Sequence, residues 1–468
     1  MQFAKAKNLI WLHLRLKINR SLQFNSVKFF SEASFVHCFK NSGSFSHLSP
    51  GMRNPSYFSL RFICTEKELK TAKLKAKHAA TEAQAKLVVV TLSDGQDCKF
   101  PWLWLRDNCQ CAACFNSSSY SRIINWESFD TKVFPVDVSI GEDAVRVAWS
   151  DGHESVFSLA WLLERRFTAA AQEEWLTKTY QPSKVSWGSE QFPLILRRFC
   201  YKDVIESCFR SDECLLEWLE SLAVHGVAFL ERTPHRTDQV RQLADRVAFI
   251  KKTVYGEEFH LKVQPDATNV AYLATPLQMH IDLPYYQYKP GSPSTAWCKQ
   301  PAGGAVNQLT DGLRVVEHLR ASHPGAYDVL AATPVEWADV ARDGAREWFL
   351  VHRAPVIRED CVGQFASINY SQQQRDSHFS VPLESVNKWY EACATLTQVI
   401  HHPDNTVFLK IKPGEILTFD NFRLLHGRSG YDNTPGQERH LVGAYLDWDH
   451  AYSCIRVLRR DGSSRGDS

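Results

Sequence analysis

Four side chains in this 468-residue chain have the types and spacing to handle a metal ion and an oxoacid together: His280, Asp282, His426 and Arg439. Residues i and i+2 of a β-strand share a face, so a strand through His280 and Asp282 would offer an imidazole and a carboxylate to one ion. His426 lies 146 residues downstream and would complete a set of two imidazoles and one carboxylate. That facial set leaves coordination positions open and suits non-heme Fe(II) working with O₂ and a co-substrate. Arg439, 13 residues further on, carries a planar fork matched to the far carboxylate of a 2-oxoacid. A lone His-x-Asp is more often a core histidine bonded to a neighbouring acid. The four positions taken together favour the metal.

A second metal pattern lies upstream. Cys109-Gln-Cys111-Ala-Ala-Cys114 packs three thiols into six residues, and His153 follows 39 residues after the last of them. Three Cys and one His form a closed four-coordinate set, as expected of structural Zn(II). The alternative is three clustered thiols with no ion, but Cys-x-Cys-x-x-Cys is rare by chance.

The elements that must position these groups can be read in outline. Thr65–Lys86 is rich in Ala, Lys and Glu and reads as a helix or linker with a solvated charged face. Leu87–Thr179 alternates short strands and turns, with strands at Leu87–Leu92, Cys98–Leu105 and Ala144–Trp149 and a helix at Leu159–Glu164. Beyond a connector near 180–188, helices are predicted at Ser211–His225, Thr237–Phe249, Gly312–Ser322 and Leu383–Ile400, with strands at Gly226–Leu230 and Ile416–Phe419. His426 stands next to Gly427 after the apolar run Ile416–Phe419, and Arg439 opens a strand to Tyr445. The expected architecture is mostly β with flanking helices, a double-stranded β-helix (jelly roll) preceded by a small zinc-binding β-rich domain. The implied domains are residues 1–65, a linker at 66–86, the zinc domain at 87–180 and the catalytic domain at 190–460.

Composition narrows the class. An apolar content of 44% and an aromatic content of 12% suit a folded globular chain, and a net charge of +2 gives no case for nucleic acid. The 13 Cys show no disulfide rhythm. The first 65 residues carry nine Lys or Arg, many Ser and one acid, Glu32. That composition resembles a mitochondrial transit segment, and its longest early apolar run, Leu9–Leu12, is too short for a membrane span. Initiation at Met52 would instead leave a cytoplasmic form.

The segments Asn269-Val-Ala-Tyr272, His280-Ile-Asp282, Phe419-Asp-Asn-Phe-Arg-Leu-Leu-His426-Gly-Arg428 and Arg439-His-Leu-Val-Gly-Ala-Tyr445 resemble the gamma-butyrobetaine and trimethyllysine hydroxylase family. The similarity runs from about Leu87 to Leu458 and includes Trp104-Leu-Arg-Asp-Asn-Cys109. It implies an Fe(II)- and 2-oxoglutarate-dependent dioxygenase, supported by ascorbate and carrying structural Zn(II), that hydroxylates gamma-butyrobetaine to L-carnitine. The other readings are trimethyllysine or another trimethylammonium substrate, or a non-catalytic zinc-stabilised binding protein. The resemblance places Tyr255, Phe259, Tyr272 and Tyr445 in an aromatic cage for the trimethylammonium group, where ring faces attract a cation. It places Asn269 near the substrate carboxylate, and it implies a homodimer. Four features depart from the family pattern: Phe259 replaces a Trp, Leu283 a Tyr and Ser371 an Asn, and Gly291–Cys298 differs in length.

Overall fold

The computed structural model describes residues 74–468, apart from 207–208, 264–268, 291, 300–304, 344–345, 432–438 and 466–468. The basic segment at 1–65 lies outside the described residues.

Leu87-Val-Val-Val-Thr-Leu92 buries every second side chain, the signature of a strand with one covered face. It forms the centre of a three-stranded antiparallel sheet, with β1 (Ala76–Glu82), β2 (Leu87–Leu92) and β3 (Asp97–Pro101) in that order. A second such sheet contains β4 (Pro135–Ile140), β5 (Ala144–Trp149) and β6 (Glu154–Ser158). Val88, Val90 and Leu92 join Val145, Val147 and Phe157 in one apolar core.

Two expectations fail in this region. Residues 76–82 form a strand, not a helix or linker: pairing with β2 overrides their helix-favouring composition, and their exposed face explains the charge. The strand predicted over Cys98–Leu105 ends at Pro101, and Trp102–Asp107 is helical. Proline has no N–H to continue a ladder and suits a helix start.

The C-terminal part holds two larger sheets. Their strands are β7 (Arg198–Cys200), β8 (Val227–Glu231), β9 (Glu258–Leu261), β10 (Leu277–His280), β11 (Ser292–Lys299) and β12 (Asn307–Asp311), then β13 (Val335–Asp343) and β14 (Arg346–Ala354) as a separate hairpin, and finally β15 (Thr406–Leu409), β16 (Ile416–Phe419), β17 (Leu424–Arg428) and β18 (His440–Leu446). The six-stranded sheet runs β9-β18-β11-β16-β8-β7 and the four-stranded one β10-β17-β12-β15. Period-two alternation decides what each face covers. Ala228, Leu230, Val442 and Ala444 meet the helices Phe209–His225 and Trp448–Arg465. Phe229, Leu417 and Phe419 turn the other way and meet Leu309 and Leu424 of the smaller sheet. Among the described residues no helix is long and apolar enough to cross a membrane. The helix predicted over Thr237–Phe249 is shorter, Gln239–Asp245.

A buried ion pair ties the two sheets' connections together. Arg423 and Asp311, both 0% exposed, form a two-pronged bridge of 2.7 and 2.8 Å. The guanidinium also donates to the carbonyls of Val224 and Val185, and the carboxylate accepts from the backbone N–H groups of Trp187 and Leu313. Gly226, at φ +76, lies against Arg423, where a Cβ would come within 3.1 Å of its Cδ.

Candidate active site

The two histidines face each other across a strand pair. His280 of β10 is directly opposite His426 of β17, with ring centroids 4.4 Å apart. The His280 Nδ1–H is held by the carbonyl of Gln278 at 2.8 Å, which leaves Nε2 free to point inward as a ligand. Asp282 is not on the strand, as expected from sequence, but just beyond its end. Asn421 holds it there: the side-chain oxygen accepts from Asp282 N at 2.7 Å, and the amide donates to Asp282 O at 2.9 Å and Pro290 O at 3.2 Å. The next residue, Leu283, adopts φ +56, a left-handed conformation that costs a non-glycine residue on the order of 1–3 kcal/mol. Asn421 was not singled out in the sequence, although it sits in the quoted run Phe419–Arg428. His426 lies inside its own strand, β17, next to Gly427.

The result is a convergence of three ligand-type atoms. Asp282 Oδ1 stands 3.4 Å from His280 Nε2 and 3.5 Å from His426 Nε2, and the donors all fall within 4.8 Å of one another. Burial alone would raise the Asp282 carboxyl, yet the adjacent imidazoles, His426 foremost, hold it well below the usual carboxylate range. Burial and His426 lower His280, keeping it neutral. An ionised Asp282 beside a neutral His280, with His426 Nε2 facing the same point, is a donor set a divalent metal can take up. The residues fit Fe(II).

Arg439 lines the same cavity, of about 140 Å³, as the triad. It is 4% exposed, and its Nε has no hydrogen-bond partner, a buried donor awaiting an acceptor. Its neighbour Arg428 is satisfied by the carbonyls of Thr275, Ala271, Leu273 and Ser429. Burial, and then Arg439, bring Arg428 down to about 10. Arg439 thus brings to the cavity wall a buried donor left unpaired.

Tyr255, Phe259, Asn269, Tyr272 and Tyr445 all line this cavity. Phe259 and Tyr445 lie 5.1 Å apart, and Phe259 rests on Gly443, where any Cβ would come within 2.0 Å of the ring. The Tyr445 hydroxyl donates to Asp282 Oδ2 at 3.0 Å, so this ring also touches the metal-ligand set. Asn269 caps a short helix by accepting from Ala271 N and donates to the Tyr255 hydroxyl at 3.1 Å. Leu283 lines the cavity, whereas Ser371 is buried outside it, bonded to Gln373 and Gln374. Within the departing stretch, Ser292–Cys298 belongs to β11, between β18 and β16.

Lys289, on the loop after Asp282, is buried against Phe422 and donates to Ile368 O and Asn369 Oδ1. Burial pulls its ammonium down to about 7. Because the folded value lies below the unfolded one, roughly 10.4, the unfolded chain binds more protons between these limits, and stability rises with pH there by up to about 1.4 kcal/mol per pH unit. Urea unfolding at pH 7 and pH 9 should show wild type gaining stability relative to Lys289→Met. Parallel behaviour of the two proteins would refute this.

The upstream cluster is equally convergent. His153 Nε2 lies 3.2 Å from Cys109 Sγ and 3.6 Å from both Cys111 and Cys114. The Asp151-Gly152 turn presents His153, with Gly152 at φ +81 and Asp151 accepting from His153 N. Arg106 reaches from the Trp102–Asp107 helix to Asp151 at 2.9 Å. Burial and the adjoining Cys111 thiol push Cys114 up to about 12. Thiols crowded this closely resist ionising together unless a cation joins them, and this donor set suits zinc.

Both regions of the chain resemble known proteins. Residues 204–445 match the model of the taurine catabolism dioxygenase TauD, TfdA family, and residues 80–163 match that of the gamma-butyrobetaine hydroxylase-like N-terminal region. Gamma-butyrobetaine dioxygenase of Homo sapiens is 32% identical over 80% of this chain and 95% of its own length. This chain belongs to the gamma-butyrobetaine dioxygenase family. The enzyme of that name from Pseudomonas sp. (strain AK-1) is 30% identical over 84% of this chain and 99% of its own. Mitochondrial trimethyllysine dioxygenase of Mus musculus is more distant, at 27% over 77% and 83%. As a family member the chain is a dioxygenase with a fold of mostly sheet and some helix.

Proposed function

We propose that this dioxygenase hydroxylates gamma-butyrobetaine at C3 to give L-carnitine, using Fe(II) and 2-oxoglutarate. The observation that carries the reading is that one cavity brings together the His280, Asp282 and His426 donors, the open Arg439 guanidinium and the four aromatic rings.

Fe(II) held by His280, Asp282 and His426 supplies, with 2-oxoglutarate, the O₂-dependent oxidation of an aliphatic C–H bond. Arg439 pairs with the distal carboxylate of 2-oxoglutarate through its unused donor. Tyr255, Phe259, Tyr272 and Tyr445 surround the trimethylammonium group, which has no proton to donate and is recognised by ring faces. The remaining N–H of Asn269 is available to the substrate carboxylate. Apolar neighbours such as Leu283, Leu417 and Phe419 limit water around the reacting carbon. The protein's part is to fix one C–H bond at the metal.

The same reading assigns the paired sheets to a double-stranded β-helix and the Cys109, Cys111, Cys114 and His153 cluster to structural zinc. It divides the chain into a zinc domain at 87–180 and a catalytic domain at 190–460, and it includes ascorbate dependence, a homodimer and mitochondrial import. Zinc analysis checks the metal assignment: Cys111→Ser should lower zinc from about one equivalent per chain to near zero, and unchanged zinc would exclude the cluster.

The deciding experiment supplies purified protein with Fe(II), 2-oxoglutarate, ascorbate and, separately, gamma-butyrobetaine, trimethyllysine and related amines, with products read by mass spectrometry. Carnitine with stoichiometric succinate is expected. Hydroxylation of another amine alone would replace the substrate assignment.

A further inference from the structure

The aromatic wall of the cavity is backed by a carboxylate that no cation among the described residues balances. Asp339 sits on β13, in the hairpin formed with β14, and residues paired across that ladder share a face. Asp339 with Leu350, and Ala341 with Trp348, belong to the inner face, while Val340 and Phe349 on the other face are exposed. Asp339 Oδ2 accepts from the Tyr255 hydroxyl at 3.0 Å and from Trp348 Nε1 at 2.8 Å. The same hydroxyl contacts Tyr285 at 3.1 Å and accepts from Asn269, and Trp348 meets Tyr255 edge-on with centroids 5.9 Å apart. Among the described residues no Lys, Arg or His comes within ion-pair distance of Asp339. A half-buried carboxylate of this kind is normally paired. Here its charge is met by two neutral donors, of which Tyr255 lines the cavity.

We propose that Asp339 is a positioning residue that makes this cavity selective for a cationic head group, acting through Tyr255. The inference rests on the substrate class read above and adds the residue that sets its charge preference. A phenol donating to a carboxylate carries a more electron-rich ring, which strengthens the attraction of its face for a cation. The carboxylate also adds direct Coulomb attraction across a region of low dielectric. A neutral group of the same shape gains neither contribution.

Asp339→Asn separates charge from shape, because one amide oxygen can accept both hydrogen bonds that Oδ2 now accepts. Binding is measured by calorimetry on the full chain with Fe(II) and 2-oxoglutarate under anaerobic conditions. The ligands are gamma-butyrobetaine, its uncharged-head isostere 5,5-dimethylhexanoate, and tetramethylammonium. Asp339→Asn should weaken gamma-butyrobetaine and tetramethylammonium about tenfold and leave the isostere unchanged. Tyr255→Phe, which keeps the ring but cuts its link to Asp339, should show a smaller loss of the same sign. Equal weakening of cation and isostere, or unchanged tetramethylammonium binding, overturns the inference. Wild type that takes tetramethylammonium but not gamma-butyrobetaine sinks the substrate assignment and leaves Asp339's role standing. Wild type that takes neither overturns both.

Discussion

Asp282→Ala should abolish 2-oxoglutarate turnover, lowering it by at least about 10³-fold, and should weaken Fe(II) binding in the same protein. Asp282 is the group that both histidines approach, at 3.4 and 3.5 Å, and it supplies the only negative charge in the triad. Alanine leaves two imidazoles facing each other, with no carboxylate to complete the set for a divalent ion. The fold should survive, because Asn421 grips the backbone of residue 282 and not its side chain. Labelled CO₂ release reads the first effect and anaerobic Fe(II) titration the second. Wild-type release of CO₂ from this variant would end the assignment of the triad.

Arg423→Met should cost about 3–5 kcal/mol of folding stability in urea unfolding. The loss comes mainly from what is left behind: the Asp311 carboxylate, 0% exposed, would keep two backbone donors and lose its charge partner. The carbonyls of Val185 and Val224 would lose their donor as well. Adding Asp311→Asn to Arg423→Met should recover part of the loss, since it removes the stranded charge. A single-variant cost below about 1 kcal/mol would show that the pair is better solvated than its burial indicates.

The chemistry of the candidate site was more legible in the sequence than its construction. The spacing of His280, Asp282, His426 and Arg439 is visible in the chain, and all four line one cavity. The assumed local geometry was only half right: β10 stops at His280, and Asp282 is placed by Asn421, a contact across 139 residues that no local pattern encodes. Strong one-face alternation made Leu87–Leu92 and Ala144–Trp149 readable as strands. Residues 76–82 were not readable, because an exposed edge strand takes its composition from solvent and its form from a partner. The polar letters Asp420-Asn421 and Arg423 inside an apolar stretch were a usable sign of a buried network. Asp339 gave no such sign, since an acid in an alternating hairpin usually faces water.

The two metal-type clusters differ in how far apart their ligands lie along the chain. The thiols and His153 span 44 residues, from 109 to 153, whereas His280 and His426 are separated by 146 and come from strands joined by a long excursion through helices and a hairpin. Closing the longer loop carries a larger entropic cost, and pairings so remote in sequence form slowly. Loop length therefore favours the thiol site, with its nearer ligands, as the earlier of the two to assemble. The His280–His426 pair is complete only when β10 and β17 meet, which ties this donor set to closure of the longer loop.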